Sequence, residues 1–529
     1  MADDLSFDPA LLRGLTPEQR EAVTSPHRRL LVRATAGSGK THVLTLRIQR
    51  RVATGEMDPD RTLVMTFTRK AADELRQRLW RAGIRDVRAG TFHRAALQLV
   101  TNFREDQHLK PLTLEVSRRR LLTSLASQMR ESGELRLDDW LLPRVEQELG
   151  WALSQGFSGT TYARRAARVR RQAPLPAPVM ADLIDRYVGL CQSRGVLDFD
   201  LLLMEATRIL REERAALAAF RYRTQHFFVD ETQDMNPLQF TLLKAMAGDD
   251  PDLFCVGDPN QSIYGFNGAN PELLTELVHT WPDTTVLDLT RNHRSTDPIV
   301  AVASTLLEDG AEGITPAREG GPIPLVRVYD TDEQEAEAVA AWLLNEHTGT
   351  TPWRSMAVLA RTNAQLDLMA EVLSRRDIPV ERRGVDHSPA SDLVSGEVGP
   401  PAWFDKEAPN AVALSTIHRA KGLEWRSVAV IGMAEGILPN HNATTPAELA
   451  EEQRLAYVAL TRPEWSLLLT YSKATDDKRF GDRQPSRFLL AAETEINRRL
   501  AAEAPATADA RRAALAEMRR LLGDGAPQN

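Results

Sequence analysis

Hydrophobic positions along this chain follow two alternating rhythms. Short apolar runs at Leu30–Val32, Leu63–Thr66, Phe227–Val229, Leu253–Val256, Leu325–Val328, Met356–Ala360, Val412–Ser415 and Val428–Ile431 have the length of buried strands. Between them lie longer stretches with apolar residues three and four apart, the period of an amphipathic helix. Strands alternating with helices predict an α/β fold on parallel sheets. Two regions break the rhythm. Residues 100 to about 195 read as helix throughout and carry Arg118–Arg120, Arg164, Arg165, Arg168, Arg170 and Arg171. From about Gly384 to Asn410, Pro, Gly, Ser and Asp dominate without a period, which predicts a loop. After about Glu495 the chain is rich in Ala and Arg and only weakly amphipathic.

Composition narrows this picture. A chain of 529 residues is too long for one core and predicts several domains. No apolar run reaches the roughly 18 residues of a membrane helix, and the first residues lack a signal-peptide layout. Both point to a cytoplasmic protein with no membrane contact. The two cysteines, Cys191 and Cys255, exclude a disulfide framework, a cysteine-rich zinc site and a cysteine-ligated iron–sulfur cluster. A net charge of -7 argues against a uniformly basic surface, while leaving room for a local basic channel. Only eight of the 66 basic residues are lysines, and Lys40, Lys70 and Lys421 fall inside the motifs below.

The strongest chemical signal is Ala34-Thr35-Ala36-Gly37-Ser38-Gly39-Lys40-Thr41, between a strand and a helical pattern with Val43, Leu44 and Ile48. That context is what a phosphate-binding loop requires. Gly37 and Gly39 let backbone N–H groups approach phosphates at the positive end of the following helix. Lys40 is expected to reach the β and γ phosphates of ATP, and the Thr41 hydroxyl to ligate Mg²⁺. A second strand empties into Asp230-Glu231-Thr232-Gln233-Asp234. There Asp230 is expected to hold Mg²⁺, and Glu231 to orient and deprotonate the attacking water.

Read in order, the motifs resemble the UvrD/Rep/PcrA family of superfamily 1A DNA helicases over nearly the whole chain. Leu15–Arg20 resembles its adenine-reading Q motif, with Gln19 on the base. Thr66–Ala72 and Gly90–His93 look like two DNA-contacting motifs, and Asp230–Asp234 like the DExQD box. Gly257–Gly265 is similar to the sensor motif, Arg291–Ser295 to one that inserts an arginine, and Thr416–Trp425 to TIHxAKGLE. Glu451–Arg462 matches the last of the eight.

The resemblance implies two RecA-like P-loop NTPase domains with a helical accessory insertion in the first. It divides the chain into residues 1–99 and 196–290 (first RecA-like domain), 100–195 (helical accessory domain), 291–494 (second RecA-like domain) and 495–529 (tail). It makes Lys40, Asp230, Glu231, Gln261, Arg294 and Arg462 catalytic, the two arginines as fingers. Gln19, Ala36, Gly37, Ser38, Gly39, Lys40, Thr41, His42 and Glu424 bind nucleotide, and Thr41 and Asp230 take the metal. Thr66, Phe67, Thr68, His93, Tyr264, Phe266, Asn267, Arg361, Asn363, Thr416, His418 and Phe488 line the DNA track. The implied activity is ATP-dependent 3′–5′ movement on single-stranded DNA and single-strand/duplex junctions, in repair or recombination. By themselves Phe67, Phe92 and Tyr264 fit a core, and the arginine-rich helices fit solvated faces; the family order favours DNA.

Four positions depart from the family. Phe266-Asn267 replaces Trp-Arg after the sensor motif; His42 stands where relatives carry arginine, and His293 where they carry tyrosine. The loop at 384–411 stands where relatives carry a regulatory domain of well over a hundred residues, and it is too short for an independent core. The same motifs also serve a translocase that does not unwind alone, or the motor of a helicase–nuclease complex. They argue against a DNA scaffold with a dead ATPase and against RNA as the track. The C-terminal tail is the expected place for a protein partner.

Overall fold

The computed structural model describes residues 8–115, 117–168, 171–307, 313–382, 409–474 and 482–503. Arg170, nearly all of the loop at 384–411 and residues 504–529 lie outside the described residues. The chain forms two compact units that part after Arg291.

The first unit carries β1 (Arg29–Ala34), β2 (Thr62–Thr66), β3 (Arg88–Thr91), β4 (Thr113–Leu114), β5 (Val196–Leu197), β6 (His226–Val229), β7 (Asp252–Gly257) and β8 (Thr285–Leu289). Six of them form a parallel sheet in the order β3-β2-β6-β7-β1-β8. Alternate residues of each strand enter different cores. Leu31, Met65, Val229 and Cys255 join one apolar cluster; Leu30, Val32, Val64, Phe228 and Val256 join the other. Burial on both faces explains why these strands read as continuous apolar runs.

The short strands β4 and β5 pair in parallel at the neck of a helical insertion. Its helices Arg118–Glu131, Leu142–Ser154, Gly159–Arg168 and Ala177–Arg194 pack around a core of their own, with Leu122, Val145, Leu149, Tyr162, Ile184 and Tyr187 inside.

The second unit carries β9 (Arg291–Thr296) and β10 (Thr315–Arg318), which pair with each other, then β11 (Leu325–Tyr329), β12 (Met356–Ala360), β13 (Val380–Arg382), β14 (Val412–Thr416), β15 (Trp425–Val430) and β16 (Pro463–Ser472). The last six form a parallel sheet in the order β11-β16-β15-β12-β14-β13. The α/β class expected from the alternation is the one observed, and all eight expected strands are present.

Strands β3, β8 and β16 are among those that went unpredicted. Arg88-Ala89-Gly90-Thr91 has no apolar run, and only its pairing with β2 makes it a strand. The helix Arg487–Glu503 runs past Glu495, because Ile496 is buried and Arg499 pairs with Asp297 at 2.6 Å. Among the described residues no helix is long and apolar enough to cross a membrane.

Candidate functional site

The nucleotide loop begins where β1 leaves the core. Gly37 and Gly39 sit at φ +70° and +83°, in the left-handed region that favours glycine. A Cβ on Gly39 would also stand 3.0 Å from Gln19 Nε2. Gly39 opens the helix Lys40–Ala53, whose first-turn N–H groups make a positive end. Gln19 Nε2 donates to the Ser38 carbonyl at 2.8 Å, and Gln19 Oε1 accepts from Thr16 N at 3.0 Å. The glutamine thereby ties the loop to the first helix. Ala36 and Ser38 are buried, whereas His42 is exposed.

Lys40 Nζ is buried with no hydrogen-bond partner. A buried ammonium in that state is costly, and an anion offsets the cost. Thr41 Oγ1 lies 3.4 Å from Asp230 Oδ2. Burial first, and then Glu231, push the Asp230 carboxyl up to about 7, with Lys40 pulling the other way. Glu231 sits at φ +51°, a strained conformation for a non-glycine residue worth about 1–3 kcal/mol. Among the described residues no cluster of three or more His, Cys, Asp or Glu could hold a metal alone. One hydroxyl and one carboxylate fit Mg²⁺ that takes its other ligands from phosphates and water.

Two residues with no role assigned from the sequence complete this wall. Gln233 Nε2 donates to the Glu231 carboxylate, while Gln233 Oε1 accepts from Asp258 N at 2.9 Å. Gln261 Nε2 donates to Asp258 Oδ2 at 2.6 Å. A Cβ on Gly257 would come within 2.6 Å of Gln233 Oε1, so that glycine makes the bridge possible. The signal was a glutamine two residues after the acid in a turn too tight to point it elsewhere.

A groove of about 1490 Å³ opens between the sheet domain and the helical insertion, lined by Phe67, Thr68, His93, Tyr264, Phe266 and Asn267 among others. Phe67 stacks on Tyr264 with ring centroids 4.8 Å apart, and Tyr264 meets Phe266 at 6.0 Å. The three rings form a short ladder, its last ring tilted by 56°, that offers apolar faces to flat groups. Thr66 is buried beneath the turn and donates to the Thr68 carbonyl at 2.9 Å. His93 meets Phe199 edge-on at 5.6 Å, and burial pushes its pKa down to about 4, so it is neutral at neutral pH.

Below the groove lies a cluster that the sequence did not single out. Arg118 Nε donates to Asp198 at 3.0 Å and its Nη2 to Asp200 at 2.5 Å; Tyr187 donates to Asp198 at 2.9 Å. Asp198 also caps the helix Phe199–Glu212, accepting from Leu201 N at 2.9 Å. Burial first, with Asp198 adding to it, still holds Asp200 up at about 6 against the pull of Arg118. One guanidinium does not fully serve two carboxylates. A Cβ on Gly150 would lie 2.4 Å from Arg118 Nη1, so the arginine crosses the insertion over that glycine.

In the second unit, Arg294 Nε donates to Glu424 at 2.6 Å and its Nη1 to the Thr461 carbonyl at 3.2 Å. Arg462 is buried and donates to the carbonyls of Val458 at 2.9 Å and Leu423 at 3.1 Å. Arg294, Glu424 and Arg462 thus gather around Thr461. Arg361 is held by Glu452 at 2.7 Å. Burial first, then Arg361 and Lys421, push His418 down to about 4. Thr416 is half-buried at the end of β14, Asn363 is exposed at a helix start, and Phe488 is buried in the helix Arg487–Glu503.

Residues 15–282 match the UvrD/REP helicase N-terminal domain, and residues 287–386 and 403–474 match the UvrD-like helicase C-terminal domain. The ATP-dependent DNA helicase UvrD2 of Mycobacterium tuberculosis is 30% identical over 587 aligned positions, covering 92% of this chain and 82% of that protein. DNA helicase II of Escherichia coli is 30% identical over 388 positions, covering 71% of this chain and 52% of its own length. A probable DNA helicase of Mycoplasma pneumoniae is 27% identical over 503 positions, covering 91% of this chain and 87% of its own. With both domain families matched in order along the chain, and a relative at this identity covered over most of its length, the protein belongs to the UvrD/REP helicase family.

Proposed function

We propose that this helicase hydrolyses ATP to move 3′ to 5′ along single-stranded DNA, acting on single strands and tailed duplexes in DNA repair or recombination. The relatives named as ATP-dependent DNA helicases support ATP as fuel and DNA as track; the direction rests on the family resemblance. One observation carries the mechanism. The segment Gly257–Asn267 holds Gln261 against Asp258 in the nucleotide wall, and three residues later it holds Tyr264 against Phe67 in the ladder. A shift that follows loss of the γ-phosphate moves the base-stacking ring with it.

In this reading Lys40 binds the β and γ phosphates, and Glu231 orients and deprotonates the attacking water. Gln261 senses the γ-phosphate, and Arg294 and Arg462 place positive charge on it. Gln19, Ala36, Gly37, Ser38, Gly39, His42 and Glu424 hold the rest of the nucleotide. Thr41 and Asp230 would hold Mg²⁺, which when bound neutralises phosphate charge. Phe67, Tyr264 and Phe266 stack on bases of any sequence, each worth about 1–3 kcal/mol. Thr66, Thr68, His93, Asn267, Arg361, Asn363, Thr416, His418 and Phe488 complete or support the track.

The motor also lacks the family's large regulatory domain. Strands β13 and β14 are direct parallel neighbours, with Val380 opposite Val412. The mycobacterial alignment spends 587 positions on 92% of 529 residues, about 487, which leaves roughly 100 positions without a counterpart here, enough for a small domain. Grafting a regulatory domain of a relative between Arg383 and Val412 should lower unwinding by the monomer; an unchanged rate would sink this part.

Strand separation on a duplex with a 3′ tail, beside one with a 5′ tail, tests the proposal. Unwinding of the 3′-tailed substrate alone is the expected result. DNA-stimulated ATPase without separation would make the protein a translocase that needs a partner, and unwinding from the 5′ tail would overturn the direction.

A further inference from the structure

Glu231 stands at one end of a buried chain of hydrogen bonds that the reaction described above leaves without a role. It leaves β6 in the left-handed region, at φ +51°, and leads into the single turn Thr232–Asp234. Within that turn Gln233 is fully buried, and its Nε2 donates to the Glu231 carboxylate.

The direction of this amide is not free. Gln233 Oε1 accepts from Asp258 N at 2.9 Å, and a backbone N–H can only donate. Turning the amide over would set its NH2 against that N–H and its carbonyl against the Glu231 carboxylate. The donor facing Glu231 is therefore fixed by the backbone just past β7. The same segment grips Gln233 a second time, for Ser262 Oγ donates to its main-chain carbonyl at 2.9 Å. Gly257 makes room for the crossing, since a Cβ there would stand 2.6 Å from Gln233 Oε1 and 3.2 Å from Gln233 N. Asp258 in turn accepts from Gln261 Nε2 at 2.6 Å. Gln233, Asp258 and Gln261 are all buried, so water competes little for these bonds.

Such a glutamine can close a turn, or it can aim a neighbour. Closing the turn needs only the bonds to Asp258 and Ser262. The donor spent on Glu231 does something else, because it fixes a charged carboxylate that would otherwise turn about its own side-chain bonds. We propose that Gln233 is a positioning residue: it holds the Glu231 carboxylate toward the attacking water and ties that aim to the sensor segment Gly257–Gln261. The proposal rests on the reading of Glu231 as the base that deprotonates this water. Because the amide hangs from the backbone of the sensor segment, the base is aimed only while that segment is seated in the nucleotide wall.

Steady-state ATP hydrolysis by the full chain, with saturating oligothymidylate, tests the assignment. Gln233→Met keeps the length of the side chain and removes both polar ends. It should lower kcat about thirtyfold and leave KM for ATP within about twofold, since a misaimed base slows the chemistry without touching the phosphates. Gly257→Ala, which pushes on Gln233 Oε1 from outside, should lower kcat in the same way, and it serves if Gln233→Met does not fold. Glu231→Gln alone should lower kcat about a thousandfold. Adding Gln233→Met to it should cost less than about twofold more, because the glutamine acts through the missing carboxylate. Three results would each overturn the positioning role and leave the base standing: a parental kcat in both single variants, a loss carried by KM, or an equal loss in the Glu231→Gln background. Parental hydrolysis by Glu231→Gln would overturn the base itself, and the proposal with it.

Discussion

Two of the buried charge clusters in the first unit are built on opposite principles. Around Arg118 each charged group has a hydrogen-bonded partner inside the protein: Asp198 and Asp200 share one guanidinium, Tyr187 donates to Asp198, and Asp198 also caps a helix. Around Lys40 the groups are left short. The ammonium has no hydrogen-bond partner, Asp230 is pushed up to about 7, and Glu231 holds a strained backbone. The first cluster locks the insertion to the sheet domain. The second stores unfavourable electrostatics, which in the function proposed above a nucleotide and its metal would relieve. A buried charge satisfied by its own chain is structural, whereas one left waiting marks where a ligand goes.

Substitutions should separate the two sharply. Lys40→Ala should reduce kcat for ATP about a thousandfold, or about 4 kcal/mol of transition-state stabilisation, in a steady-state ATPase assay. Its urea midpoint should change little, because the ammonium makes no hydrogen bond within the protein, although Asp230 and Asp258 lose its attraction. Arg118→Ala should do the reverse, costing about 3 kcal/mol in urea unfolding, since two buried carboxylates lose their cation. Equal destabilisation by both would erase the distinction.

The pH dependence sharpens it further. Asp230 is raised when folded, so its contribution to stability is fully present below its unfolded value of 3.8 and is lost as pH rises through about 7. Nucleotide-free Asp230→Asn should therefore gain about 2 kcal/mol over the parent at pH 8, and the gain should shrink steadily toward pH 5 in paired denaturant melts. A gain that grows toward acid would reverse the assignment. The smallest effect concerns Gly150. Gly150→Ala should cost about 1–2 kcal/mol by displacing Arg118, and nearly nothing in the Arg118→Ala background, as a double-mutant cycle would measure.

Much of the fold was legible because its strands are buried on both faces and therefore read as uninterrupted apolar runs. Leu253–Val256 and Met356–Ala360 are examples, and both lie wholly in the core. Where burial and composition part, the pattern failed. Strand β3 is Arg-Ala-Gly-Thr, half-buried at both ends without an apolar run. The nucleotide loop was legible for a different reason. Close approach of backbone to phosphate demands glycine at fixed spacing, and such a demand leaves a local trace. The Gln233–Asp258 bridge and the Arg118 cluster leave much less, because those partners lie 25 and 80 residues apart.

The sequence by itself determined the two parallel α/β units, the phosphate loop with its lysine, and the order of motifs that places the chain among UvrD/REP helicases. These depend on local periodicity and on residues whose chemistry fixes their spacing. Only the tertiary structure decided which charges are answered and which are left waiting. It closed Arg118 on Asp198 and Asp200, left the Lys40 ammonium without a hydrogen bond, stacked Phe67 on Tyr264 across some two hundred residues, and set Arg76 beside Arg94. Electrostatic satisfaction is a property of distance in space, and no spacing along the chain encodes it.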